Sequence, residues 1–263
     1  MDEPSGPGAP RNTPPEGFAV PPSFRFEASV TVRNYLTNQQ LWTARREAWL
    51  CGKREDTLVA AGNNNVDRLH RSHAIMAIFS AVAFLEAFVN AIWQDASEKA
   101  PGQHSSYTEG IPDAGMATMR ELWNGKDGAE RMMSVLSKFQ LALVCAGHDR
   151  MEDNAEPFQS VDILVDLRNT LVHFKPHTQG DPEEVGRRLR KLVAGLESKI
   201  TPERQNRQNV SGWYPNKVLG AGCAAWACDS AIAFARDWHA RMGLNHDFEE
   251  RYLLPSEPFQ VDD

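Results

Sequence analysis

The chain has 263 residues, 41% of them hydrophobic, and a formal charge of −7 from 28 Lys and Arg against 35 Asp and Glu. That length and apolar content suffice to bury a full core, most simply in one large domain. An acidic chain with a pI near 5.6 has no whole-molecule positive field, so nucleic-acid binding would need a local basic patch.

Residues 1–22, "MDEPSGPGAPRNTPPEGFAVPP", hold seven of the sixteen prolines and no apolar signal-peptide core. They predict a disordered leader and no secretion. Cys51, Cys145, Cys223 and Cys228 form no Cys-x-x-Cys pair and no zinc-ligand spacing, so reduced thiols in a cytoplasmic setting are expected. The folded domain is expected over 23–246, followed by a polar tail over 247–263.

"SFRFEASVTVRNYL" alternates enough for a short strand or an extended lead-in. Residues 38–50 read as a helix capped by Thr37 and ended by Gly52, before the polar run Asn63-Asn64-Asn65. Residues 74–93, "AIMAIFSAVAFLEAFVNAIW", carry only Ser80, Glu86 and Asn90 as polar groups. A helix apolar nearly all round is central to a fold or spans a membrane. Glu86 and Asn90 on one face, with no second span, favour a buried core helix and no membrane role. "PGQHSSYTEGIPDAG" reads as a loop, "MATMRELW" as a short helix, and "GAERMMSVLSKFQLALVCAG" as a longer one ended by Gly147. Glu156-Pro157 starts a helix over 158–174 that Pro176 closes. "GDPEEVGRRLRKLVAGLESKI" opens on an Asp cap, a first-turn Pro and two acids. Pro215 opens a last helix through Ala240.

The helix over 158–174 carries an unusual charge pattern. At about 100° per residue, with Leu164 at zero, Ile163, Leu167, Leu171 and Phe174 fall on one side and Val161, Val165 and Val172 on the other, an apolar arc of roughly 200°. Asp162, Asp166, Asn169 and His173 bunch within about 60° on the opposite face, while Arg168 falls at about 40°, inside the apolar arc. An arc that wide predicts a second packing surface, most simply another copy of the chain. The misplaced Arg168 predicts a carboxylate partner, and Glu86, equally out of place on the apolar helix, is the natural one.

Arg-x-x-x-x-His spacing alone carries no information, because it occurs at Arg68–His73, Arg168–His173 and Arg241–His246. The middle pair differs by its surroundings. "LRNTLVHFKP" resembles the signature of the HEPN superfamily, in which Arg, a polar residue and a later His lie on a late helix of an all-α bundle; here these are Arg168, Asn169 and His173. "FLEAFVNAIW" resembles an earlier helix of that superfamily, with its acid at Glu86. The resemblance spans residues 66–240 and implies an all-α, HEPN-like bundle of about six helices. Many members of that superfamily are metal-independent endoribonucleases, toxins or antiviral defence effectors whose active site forms where two domains pair. Others have no catalytic role, so a silent dimerisation or RNA-binding module is the alternative.

The residue types suit that chemistry. Attack of a 2′-hydroxyl on phosphorus needs a proton acceptor, a proton donor for the leaving 5′-oxygen and a cation for the extra phosphate charge. His173 exchanges protons near neutral pH, Arg168 grips phosphate with two parallel hydrogen bonds, and Asn169 can orient either. One His cannot readily be acid and base together, so a homodimer joining two His173 and two Arg168 in one cleft answers a mechanistic need. No cofactor or metal is expected, and the pair Asp162 and Asp166, about 6 Å apart, lacks an accompanying ligand cluster. An antitoxin or sensor partner is expected to restrain such an enzyme.

Arg187, Arg188, Arg190 and Lys191 form the densest basic run, either a grip on an RNA backbone or a solvated helix face. Arg68, His70, Arg71 and His73 read as an exposed helix start, or as part of the same cleft. Trp213-Tyr214 reads as packing, or as a base-stacking platform. The chain has no Gly-x-x-x-x-Gly-Lys-Ser/Thr loop, no Gly-x-Gly-x-x-Gly turn and no Gly-x-Ser-x-Gly elbow, which excludes nucleotide hydrolysis by a P-loop.

Overall fold

The computed structural model describes residues 33–124, 128–175, 186–204 and 214–249. The expected leader, most of the expected lead-in strand, the Asp181-Pro182 helix start, Trp213 and the tail beyond 249 lie outside the described residues. One compact unit begins at Tyr35. Among the described residues the fold is all-α, with no strand and eight helices against the six or so expected: α1 (Thr37–Ala60), α2 (Arg68–Glu98), α3 (Asp113–Trp123), α4 (Ala129–Met132), α5 (Val135–Cys145), α6 (Phe158–Val172), α7 (Arg187–Glu197) and α8 (Ala221–Met242).

The apolar sequence of α2 makes it the centre. Ile78, Phe84, Leu85, Phe88, Val89, Ile92 and Trp93 are fully enclosed. Although α2 is long and apolar enough to cross a membrane by length and composition, its apolar face is buried here in protein. Asp67 caps it, accepting the His70 amide at 2.8 Å. Helix α1 runs antiparallel to α2: the Tyr35 hydroxyl at its start donates to Asp95 at 3.1 Å, and Glu55 near its end meets His70 at the start of α2. Helix α8 runs parallel to α2, its first amide donating to Glu55 and its Trp238 ring meeting Phe88 edge-on at 5.7 Å. Two buried indoles join this layer to α5, Trp93 donating to the Lys138 carbonyl at 3.2 Å and Trp238 to the Phe139 carbonyl at 3.0 Å. Each indole N–H thus finds an acceptor without leaving the core.

Three boundaries depart from the sequence reading. Gly52 does not end α1, because residues beyond it still present Glu55 and Leu58 to the core; the chain turns at Gly62, with φ of +64°. The segment read as one helix over 128–147 is two, because the Ser134 hydroxyl accepts the Ser137 amide and starts α5 afresh. Pro215 opens only one turn, which breaks at the extended Gly220 before α8 begins at Ala221. Thr37 makes no side-chain cap bond and is the first helical residue.

Helices α3 and α5 touch at a glycine. A Cβ on Gly115 would lie 2.2 Å from the Cys145 carbonyl oxygen. In an exposed helix, Gly→Ala is stabilising by about 1 kcal/mol; here the contact reverses the sign. Gly115→Ala is expected to lower stability by about 1–3 kcal/mol, read as a lower midpoint of urea unfolding at unchanged slope.

Beyond α8, Gly243 takes a left-handed conformation with φ of +63° and returns the chain onto the core, where the His246 ring lies tilted against Tyr107 with ring centroids 3.8 Å apart. The Nε2 atoms of His239 and His246 are buried without a hydrogen-bond partner. Burial pushes both imidazoles below their ordinary pKa; a hydrogen bond to the His246 backbone and then Asp247 oppose it at His239, while at His246 the charge of His239 adds to it and Asp247 and Asp95 oppose it. The folded pKa therefore lies below the unfolded value, near 6.5, and in that window the unfolded chain binds more protons. Their contribution to stability is complete above the unfolded pKa and is lost as pH falls through the folded one. The thermal midpoint is expected to drop between about pH 7.5 and about pH 5.5, less steeply in His246→Gln.

Candidate functional site

Helix α6 buries Val161, Leu164 and Leu167 fully, and leaves Ile163, Val165 and Leu171 half-covered. Its last turn is open: Val172 is 51% and Phe174 45% exposed. A single chain thus covers only part of the apolar arc. Arg168 meets the expected partner, its Nη2 donating to Glu86 Oε1 at 2.5 Å. The Arg168 side chain is 25% exposed and Glu86 45%, while Arg168 Nε is buried without a hydrogen-bond partner. Lys138 on α5 also feels the charge of Glu86. Lys138 is buried, donates to Asn90 Oδ1 at 2.9 Å and stands 5.0 Å from the Trp123 ring centroid. Burial lowers its pKa, against the pull of Glu86 and Glu130.

The polar stripe of α6 divides. Asp162, Asp166 and Asn169 line an open groove of about 440 Å³ against α5, together with Gln140, Arg150 and Asp153. Burial, then the neighbouring Asp166, raises the Asp162 pKa. His173 is the residue at which α6 stops; its amide donates to the Asn169 carbonyl at 3.0 Å and its side chain is exposed. Arg168 and His173 share the end of α6 without meeting: one is tethered to α2 and the other faces outward.

Helix α7 packs antiparallel on α6. Arg188 donates to Asp166 at 2.6 Å, Gly195 sits against Ile163, and Lys199 pairs with Glu156 at the far end. Leu192 and Leu196 face inward, while Arg187, Arg188, Arg190 and Lys191 are exposed. The basic run therefore lies beside the half of α6 that carries Asn169 and His173. Basic side chains thus lie at that end, while Asp153, Asp162 and Asp166 line the groove together with Arg150.

The residues around Arg68 correct the sequence reading of an exposed helix start. Arg68 is exposed, but His70 is only 2% exposed; its Nε2 lies 2.9 Å from Glu55 Oε2. His73 bonds Glu47 at 2.6 Å, and Arg71 donates to Asn216. Burial alone would raise the Glu55 pKa, but bonds from His70, the Ala221 amide and Arg204 hold it down to about 2. Neither Glu55 nor Glu203 stands out in sequence, since no local pattern links residues from α1, α2 and the segment after α7. Tyr214 is only 5% exposed and offers no open face for stacking. The four thiols are free, and burial raises the pKa of each.

Comparison of the chain with family models, curated proteins and solved structures finds no match.

Proposed function

We propose that the chain is a HEPN-type, metal-independent endoribonuclease, a toxin or antiviral defence effector, that works as a homodimer. The observation that carries this reading is the end of α6: a tethered Arg168, an outward His173, and exposed Val172 and Phe174 beside them. A second copy packed on that turn would cover the open part of the apolar arc and bring two His173 and two Arg168 together. One imidazole then takes the proton of the 2′-hydroxyl, the other protonates the leaving 5′-oxygen, and the guanidinium groups hold the charged phosphate. Glu86 positions Arg168 before substrate arrives, and the exposed basic turn of α7 holds the flanking phosphates. These contacts address phosphate and sugar, so base preference lies elsewhere. An antitoxin or sensor partner would restrain the enzyme by covering the same turn.

The alternative, a silent dimerisation or RNA-binding module, is favoured by one feature: Arg168 is already engaged by Glu86 in the single chain. End-labelled RNA incubated with the full chain in excess chelator separates the two. Fragments ending in 2′,3′-cyclic phosphate support cleavage by internal attack. Binding without fragments, with helix content intact by circular dichroism, leaves the silent module.

A further inference from the structure

We propose that the segment 243–249 is an acid-released latch, shut above neutral pH and opened when His239 and His246 take up protons, independently of the RNA-cleavage reading. The segment leaves α8 at Gly243, whose left-handed φ of +63° reverses the chain. It then crosses four parts of the molecule. His246 lies against Tyr107 in the loop after α2, with ring centroids 3.8 Å apart, and Asn245 donates to Glu109 of the same loop at 2.8 Å. Phe248 is buried, its ring centroid 5.7 Å from Phe84 and 5.1 Å from Phe88 on α2, and 5.5 Å from His239 on α8. Glu249 is held from two sides, by Arg45 of α1 at 2.9 Å and Arg236 of α8 at 2.6 Å. The segment is thus a short bridge with a glycine hinge at one end and an ion-paired anchor at the other.

A proton suits three other histidines and not these two. His70, His73 and His104 each have a carboxylate oxygen within 3.3 Å of a ring nitrogen, from Glu55, Glu47 and Asp113. The Nε2 atoms of His239 and His246 are instead buried without a hydrogen-bond partner. A neutral imidazole leaves one nitrogen bare, whereas both nitrogens of an imidazolium are donors. A proton added at either Nε2 therefore creates a buried donor with no acceptor and a buried charge. The surrounding groups do not offset that cost. Asp95 of α2 faces His246 but already accepts the hydroxyls of Tyr35 and Ser105. Asp247 acts on both rings but is exposed. Glu109 accepts Asn245, Glu249 accepts two arginines, and Asp237 pairs with Arg241. The charge of His239 further opposes one at His246. Water accommodates the protons best, and it reaches the pair when His246 swings off Tyr107. Glu249, whose carboxyl Arg236 holds below the usual range, stays ionised meanwhile and keeps the far end anchored, so the latch can close again.

In the open segment both imidazoles titrate near their ordinary value of about 6.5. Between about pH 7.5 and about pH 5.5 each proton then raises the open-to-closed ratio by up to about tenfold, and two by up to about 100-fold. Amide hydrogen exchange of the full chain, read on peptides by mass spectrometry and normalised to intrinsic exchange rates, measures that ratio. The peptide over 243–249 is expected to lose protection by at least about tenfold at the lower pH, while peptides from α2 and α5 stay protected. The double variant His239→Gln with His246→Phe keeps a ring against Tyr107 but no imidazole in the latch, and is expected to stay shut at both pH values. Unchanged protection in the parent, loss in step with α2, or an equal loss in the double variant would each overturn the assignment. If the double variant fails to fold, His246→Phe alone decides: its loss should be smaller than the parent's by up to about tenfold, and an equal loss contradicts the latch.

Discussion

His173→Ala is expected to reduce RNA cleavage by about 10²–10⁴-fold, the range a positioned acid–base group supplies, with little change in stability. The side chain is exposed where α6 stops, so no packing is lost with it. Arg168→Ala is expected to lose as much, for a different reason: the phosphate loses its cation, and Glu86 is left near Lys138 without its main partner. Arg168→Lys separates charge from shape, because an ammonium keeps the charge but not the paired donors. It should retain part of the activity lost in Arg168→Ala. Initial rates on a labelled RNA, with sedimentation and circular dichroism on each variant, make the comparison. Undiminished cleavage in His173→Ala would remove that residue from the mechanism.

Phe88→Ala should have the largest effect on folding, a loss of about 3–5 kcal/mol. Phe88 is fully enclosed, and its ring meets Phe248 at 5.1 Å, Trp238 at 5.7 Å and Phe139 at 6.1 Å between centroids. These neighbours belong to α8, α5 and the segment after α8, so truncation opens a cavity where three parts of the chain meet. The surrounding aromatic groups are held on separate parts of the chain and cannot all close on it. Chemical unfolding followed by circular dichroism measures the loss; a change below about 1 kcal/mol would mean that the core relaxes around the gap.

The all-α architecture was legible because each helix packs an apolar stripe, and α2 most plainly, since it is apolar on nearly every side. The Arg168–Glu86 pair was legible for the same reason: a charge inside an apolar arc needs a partner, and Glu86 was equally misplaced on the most apolar helix. Ends of helices were harder. Gly52 looks like a stop until Glu55 and Leu58 are seen to continue the buried face, and Ser134 is hidden inside an apolar run whose period does not change when α5 begins. The Glu55, His70 and Glu203 cluster lies beyond local reading, because its members approach only when α1 folds back along α2 and the segment after α7 packs beside both. His70 sits among charged neighbours in "DRLHRSH" and is buried by its position on the inner face of α2, below the residues that reach Ala74 and Ala77 in the core.

Whether two copies of α6 build one catalytic centre is tested most directly by a purified heterodimer of one wild-type chain and one His173→Ala chain, each with a different tag, assayed on labelled RNA in excess chelator. A shared centre that uses one imidazole as base and the other as acid predicts that the heterodimer falls to near the activity of the double His173→Ala dimer, at least about 100-fold below wild type. Half of the wild-type rate would contradict it, because each chain would then carry a complete site of its own.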